Sequence, residues 1–195
     1  MVKSVSDMAN ATEFPERLIT VEEFDRMLDR GILDPDERLE LIEGRLVRRE
    51  PMNPPHASIM ARLTKRLERG LGNRVLLWPQ LPIVAAERSK PFPDLSLVRM
   101  QDDYYGTRLP VPDDILAVVE VSDTRLRTDR GEKLRLYARV GIAEYWIVDV
   151  KKKTVEIYRE QHQLGYASCA VAAKGQNVAF AAFPDAVFSV DELLG

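Results

Sequence analysis

The stretch Ile115–Ser122, ILAVVEVS, limits what this chain can fold into more than any other. Side chains alternate across a strand. One face would carry Ala117, Val119 and Val121, the other Leu116, Val118, Glu120 and Ser122. Both faces stay apolar almost to the end, the pattern of a central strand covered on each side. Such a strand requires a sheet with helices packed on it, so the expected fold class is α/β with a mixed sheet. It also requires a partner for Glu120. A buried carboxylate is strongly unfavourable unless it is protonated, paired or bound to a metal.

The flanking sequence supplies the other layers. Thr20-Val21-Glu22-Glu23 is a capping box opening a short helix, with Phe24, Met27 and Leu28 on its apolar face and Gly31 ending it. Leu39–Val47 reads as a hairpin turning at Glu43-Gly44. His56–Gly70 reads as a helix, because Ile59, Leu63 and Leu67 recur every fourth residue and Met60 and Leu71 widen the stripe. A strand with a kink at Pro79 follows, then a strand starting at Asp94, then Ile115–Val121. Arg130–Val140 reads as a helix stopped by Gly141, and EYWIVDV and TVEIYRE as two strands around the turn Lys151–Lys153. The tail adds strands and a last helical turn at Asp191–Leu194. The central order is helix, strand, strand, strand, helix, strand. Residues 1–17 are expected to be a flexible arm, and residues 18–195 a single domain.

Composition narrows the functional classes. No apolar run reaches the roughly 20 residues that span a bilayer, and the first residues lack a secretory apolar core. The single cysteine, Cys169, forms no intrachain disulfide and reads as a small buried apolar residue. A cytoplasmic location is expected, with no membrane partner. The formal net charge of -3 gives no global attraction to nucleic acid. The basic runs at Arg62–Arg69 and Arg125–Arg135 read as solvated faces.

Chemistry concentrates around Glu120. Asp94 opens a neighbouring strand, and two carboxylates at adjacent strand ends repel unless a hard divalent cation lies between them. Asp129 and Glu132 form an Asp-x-x-Glu pattern that would make Asp129 a helix cap and put Lys133 in the first turn, within reach of the strand end. Two carboxylates, a metal and a lysine suit phosphodiester hydrolysis: the metal acidifies water, and the lysine orients it or neutralises charge.

Pro93-Asp94, Glu120-Val121-Ser122 and Lys133 resemble the PD-(D/E)XK nuclease superfamily. More narrowly, VVEVSDTRLRTDRGEKLRLYARVGIAEYWIVDV, with LELIEGRLV, FPDLSLV and FPDAVFSVDELL, is similar to the Uma-type family of restriction-endonuclease-like proteins, also called domain-of-unknown-function family 820. The resemblance covers roughly residues 18–194. It implies a restriction-endonuclease-like core, with the N-terminal helix and hairpin and the C-terminal strands as additions. It further implies a metal-dependent endonuclease acting on DNA. Mg²⁺ or Mn²⁺ would be held by Asp94, Glu120 and the backbone carbonyl of Val121, with Lys133 as the third catalytic residue. The lysine expected two residues after the glutamate is replaced by Ser122, and Lys133 is its match. Nucleases of this fold often act as homodimers or higher homo-oligomers, because two sites cut two strands.

Other polar residues fall near this set. Glu40 and Gln80 lie in blocks where polar side chains approach such sites, though each reads locally as surface or hairpin. His56, at the helix start, is a candidate for lining the site or an incidental residue. Tyr137, Tyr145 and Trp146 read as packing. A second Phe-Pro-Asp, at Phe183–Asp185, has no glutamate-bearing strand after it and reads as a plain turn. The competing function is a catalytically inactive nuclease-fold module that binds nucleic acid or protein.

Overall fold

The computed structural model describes residues 16–195, so residues 1–15 of the expected arm lie outside the described residues. Among the described residues, ten strands and five α-helical segments form, and one six-stranded sheet organises them. After helix α1 (Val21–Asp29) comes a separate hairpin, β1 (Leu39–Ile42) and β2 (Arg45–Arg48). Helix α2 (Pro54–Leu71) leads into β3 (Leu76–Pro79), β4 (Leu95–Val98) and β5 (Ile115–Ser122). A continuous helical segment then runs through α3 (Leu126–Thr128), a π-turn at Asp129–Lys133 and α4 (Leu134–Arg139). It connects to β6 (Glu144–Asp149), β7 (Thr154–His162) and β8 (Gly165–Ala172), and the chain closes with β9 (Asn177–Val178), β10 (Phe188–Ser189) and α5 (Val190–Leu194).

The sheet order is β3-β4-β5-β6-β7-β8, with β5 and β6 parallel and the other pairs antiparallel. A parallel pair needs a crossover, and the helical segment provides it. The connection therefore passes over the C-terminal end of β5, where Glu120 lies.

Two cores sandwich the sheet. On one face, Val119, Val121, Trp146 and Val148 pack with Leu63 and Leu67 of α2 and with Phe180 and Phe188 of the tail. On the other, Val118, Tyr145 and Ile147 pack with Leu136 and Tyr137 of the helical segment and with Ile42 of the hairpin. Leu63 and Leu67 are fully buried. Each contributes about 2 kcal/mol through area removed from water, so the α2 stripe is held by packing more than by local propensity. Asn53 caps α2, its Oδ1 accepting from His56 N at 3.0 Å.

The hairpin turns at Glu43 and Gly44, both at positive φ, as a two-residue turn of type I′ requires. A Cβ on Gly44 would lie 2.6 Å from Leu18 Cβ, so glycine is required by packing as well as by conformation. Gly44 N donates to Arg88 O at 2.7 Å, and Leu41 and Lys90 bridge the hairpin to the segment before β4. These contacts lay β1 across the end of the sheet.

Several expectations are corrected. The kinked strand around Pro79 ends at Pro79 itself, because Pro79 and Pro82 cannot donate to a continuing ladder. Leu116 packs with the Val119 face rather than the Val118 face. A register shift pairs Leu97 with Ala117 but Val98 with Ile115, and this bulge turns Leu116 over. The helix expected at Arg130–Val140 begins a turn earlier, at Leu126, whose side chain packs against the core. Cys169 is exposed, on the edge strand β8.

Candidate active site

β4 and β5 bring the two carboxylates together. Their last pair is Leu95–Val119, so one step further Asp94 and Glu120 stand opposite each other. Val121 N donates to Asp94 Oδ2 at 2.8 Å, and Asp94 N to Glu120 Oε2 at 3.4 Å. The two acids thus replace a stretch of ladder at the strand ends. Glu120 is 3% exposed. Burial pushes its carboxyl up to about 8, and Asp94, Asp129 and Glu40 add to this while Lys133 opposes it.

The π-turn supplies the cation. Leu134 N–H reaches back to Asp129 O, so one turn carries an extra residue. Tyr145 OH donates to Asp129 O at 3.2 Å and Arg130 Nε to Glu156 Oε2 at 3.0 Å, which fix the turn to β6 and β7. Lys133 Nζ donates to Glu120 Oε1 at 2.9 Å and lies 3.6 Å from Glu40 Oε2. Burial works against the ammonium charge, but Glu120, Glu40 and Asp129 outweigh it and hold its pKa above the ordinary value. Lys133 is therefore a buried ammonium held between two acids.

Asp129 is not the cap that its pattern predicts. It lies inside the continuous helical segment, 4% exposed, and burial raises its carboxyl against the pull of Lys133. Glu40 departs from its surface reading altogether. It is fully buried, with Oε2 accepting from Phe92 N at 3.2 Å and Oε1 without a hydrogen-bond partner among the described residues. The cause is tertiary: the hairpin's second face is covered by the sheet end. His56 also joins the site, its Nε2 3.0 Å from Asp94 Oδ1. Burial would raise Asp94, but the His56 contact, Val121 N–H and Lys133 together hold it below the usual carboxylate range. Gln80 sits at the edge, its Nε2 3.5 Å from Asp94 Oδ1. Ser122 is buried, and its hydroxyl has no partner among the described residues.

Sequence reasoning missed Tyr137 as a polar contributor. Its hydroxyl donates to Glu120 Oε1 at 2.9 Å from a fully buried position. The usable signal was spacing: Tyr137 follows Lys133 by one helical turn and shares its face. The second Phe-Pro-Asp lies elsewhere, with Asp185 exposed and bonded to Arg74 at 2.7 Å.

Asp94, Glu120 and Lys133 border a cavity of about 130 Å³, with His56 and Asn53 at the α2 end and Asp123 and Thr124 at the β5 end. Among the described residues, no three His, Cys, Asp or Glu side chains are grouped to hold a metal. A site of two carboxylates and one carbonyl nonetheless fits a hard ion such as Mg²⁺, which uses few protein ligands and keeps several waters. A strand residue points its N–H and C=O to the same side, so the Val121 carbonyl faces the Asp94 side. The buried acids Glu120, Glu40 and Asp129 outnumber the buried cation Lys133, a balance that favours an added cation.

A six-stranded mixed sheet carrying opposed acids and a lysine at its strand ends defines a nuclease-fold protein. The comparisons agree. The model of the Uma2 family, described as "Putative restriction endonuclease", matches residues 21–191, and the chain belongs to this family. A solved structure described as a putative nuclease belonging to DUF820, from Anabaena variabilis ATCC 29413, superposes with a TM-score of 0.70. It shares 16% identity and covers 90% of this chain and 97% of its own, which establishes the common fold. No curated protein matches the chain. No helix of the described residues is long and apolar enough to cross a membrane.

Proposed function

We propose that this protein is a metal-dependent endonuclease that hydrolyses DNA phosphodiesters in the cytoplasm, acting as a homodimer or higher homo-oligomer. One observation carries the reading: Asp94 and Glu120 face each other at buried strand ends, with Lys133 Nζ 2.9 Å from Glu120. Asp94, Glu120 and the Val121 carbonyl would hold Mg²⁺ or Mn²⁺. When bound, the ion supplies Lewis acidity and an acidified water.

The protein's own groups do the rest. His56 holds the Asp94 carboxylate in place through Oδ1, and Val121 N–H holds it through Oδ2. Tyr137 and Lys133 both donate to Glu120 Oε1, which leaves Oε2 directed toward Asp94. The Lys133 charge, fixed by Glu40, offsets negative charge developing on the attacked phosphate. Ser122 leaves the usual lysine position empty of charge, and the helical segment fills that role from the side.

The test is cleavage of supercoiled DNA with Mg²⁺ and with Mn²⁺, run beside an RNA of matching sequence. Nicking or linearisation lost in Asp94→Asn and Glu120→Gln, with RNA untouched, is the expected result. Wild-type protein inert toward both nucleic acids with either ion would remove the nuclease reading in favour of a non-catalytic interaction module.

A further inference from the structure

The carboxylates and Lys133 form the buried part of the cavity, and its half-buried wall is arginine. Arg38, Arg49 and Arg125 line it, and all three are partly exposed. Arg125 has a counter-charge, 4.0 Å from Glu40 Oε1. Arg38 and Arg49 are arranged differently. β1 and β2 pair Leu39 with Arg48, and the ladder continues one step, Arg49 N donating to Arg38 O at 2.9 Å. The two arginines are therefore cross-strand neighbours at the open end of the hairpin. Like charges so placed oppose pairing. Arg38 also adopts a left-handed conformation, φ 52°, which a non-glycine residue rarely takes.

Arg49 carries the second half of the argument. Its Nε is buried with no hydrogen-bond partner among the described residues. Burial, then Arg38, pulls its pKa below the ordinary arginine value, with Glu40 and Asp94 opposing. Its guanidinium lies over the Phe92 ring, 4.1 Å from the centroid, a cation–π contact that holds the head group in place. Phe92 is the residue whose N–H anchors Glu40, so one residue sets both the acidic floor and the arginine wall. A planar fork that lines the cavity, has no ion pair among the described residues and stands beside a second guanidinium matches two oxygens of a phosphate diester.

We propose that Arg38 and Arg49 form a cradle for a nucleic-acid backbone phosphate next to the one that Asp94 and Glu120 act on. The proposal rests on the nuclease reading for the identity of the anion. The cradle compensates the local acidity that would otherwise repel a polyanion from this pocket, and it makes the hairpin part of substrate binding.

The experiment measures binding of a short fluorescein-labelled DNA duplex by anisotropy over a salt series in EDTA. Wild type is compared with Arg38→Ala, Arg49→Ala, Arg49→Lys and, as a control from the remote basic face of α2, Arg69→Ala. Cleavage with Mg²⁺ is measured on the same proteins. Arg38→Ala and Arg49→Ala are each expected to weaken binding about 10-fold and to reduce the salt slope by about 1. Arg69→Ala should leave both near wild type. Arg49→Lys keeps the charge over Phe92 but loses the fork, so it should recover the slope and only part of the affinity. A purely structural role for Arg49 would lower the melting temperature without moving the slope, and would overturn the cradle. So would equal losses in Arg69→Ala, or a wild type that does not bind the duplex. Arginine-dependent binding without wild-type cleavage would keep the cradle and end the nuclease reading. Cleavage with binding untouched by Arg49→Ala would do the reverse.

Discussion

Lys133 Nζ donates to Glu120 Oε1 at 2.9 Å from a turn thirteen residues further along the chain. Both groups are buried, and each is the other's nearest opposite charge. Lys133→Met removes the cation and leaves Glu120, Glu40 and Asp129 together. Loss of one partner of a buried pair costs about 3 to 5 kcal/mol. Denaturant unfolding should show this loss at pH 8 and a smaller one at pH 5, where Glu120 takes up a proton. An equal loss at both values would mean that the lysine acts through packing alone.

The metal-free protein loses stability as pH rises through the titration range of Glu120. The folded-state value of Glu120, about 8, lies above its ordinary 4.5. The folded state therefore binds the extra proton between these values. Its stabilising contribution is whole below pH 4.5 and is lost as pH rises toward 8. Lys133, also raised, keeps its contribution until well above this window. Unfolding midpoints measured without divalent ions should fall from pH 5 to 8, and Glu120→Gln should flatten the slope. A slope as steep in the variant would assign the proton elsewhere.

His56→Ala removes the side-chain donor nearest Asp94 Oδ1. Groups that orient a metal-holding carboxylate typically matter about 10- to 100-fold in affinity or rate. Metal-dependent cleavage should drop in that range, with a melting temperature close to wild type. A variant as active as wild type would reduce His56 to a neighbour.

Asp185→Asn is the matched control for Asp94. Asp185 sits in the same Phe-Pro-Asp sequence but pairs at the surface with Arg74. Exposed pairs contribute about 0 to 1 kcal/mol. Cleavage should be unchanged and stability shifted by less than about 1 kcal/mol. Lost cleavage would show that the tail belongs to the site.

Elements with a single dominant signal were legible in the sequence. The four-residue recurrence of Ile59, Leu63 and Leu67 gave α2, the Glu43-Gly44 turn gave the hairpin, and the apolar run broken by Glu120 gave the central strand. The placement of Asp94 and Glu120 at adjacent strand ends followed because strand ends are local features. Glu40 did not follow. Alternation in LELI assigns it to the solvent side, and only docking of the hairpin onto the sheet end buries it. Asp129 misled for a related reason: Asp-x-x-Glu is a cap only where a helix starts, and packing of Leu126 moved the start upstream. Leu116 depended on a bulge, which alternation alone cannot express.

The π-turn has an effect separate from its side chains. An α-helix advances about 100° per residue. The extra residue that closes Leu134 N–H onto Asp129 O therefore sets the angle at which Lys133 meets Glu120. That angle is encoded by the number of residues between β5 and α4 as much as by their identity. Over this segment, deleting one residue would rotate every downstream side chain together, whereas substituting one changes a single contact. Sequence change here is constrained first by length and only then by residue type.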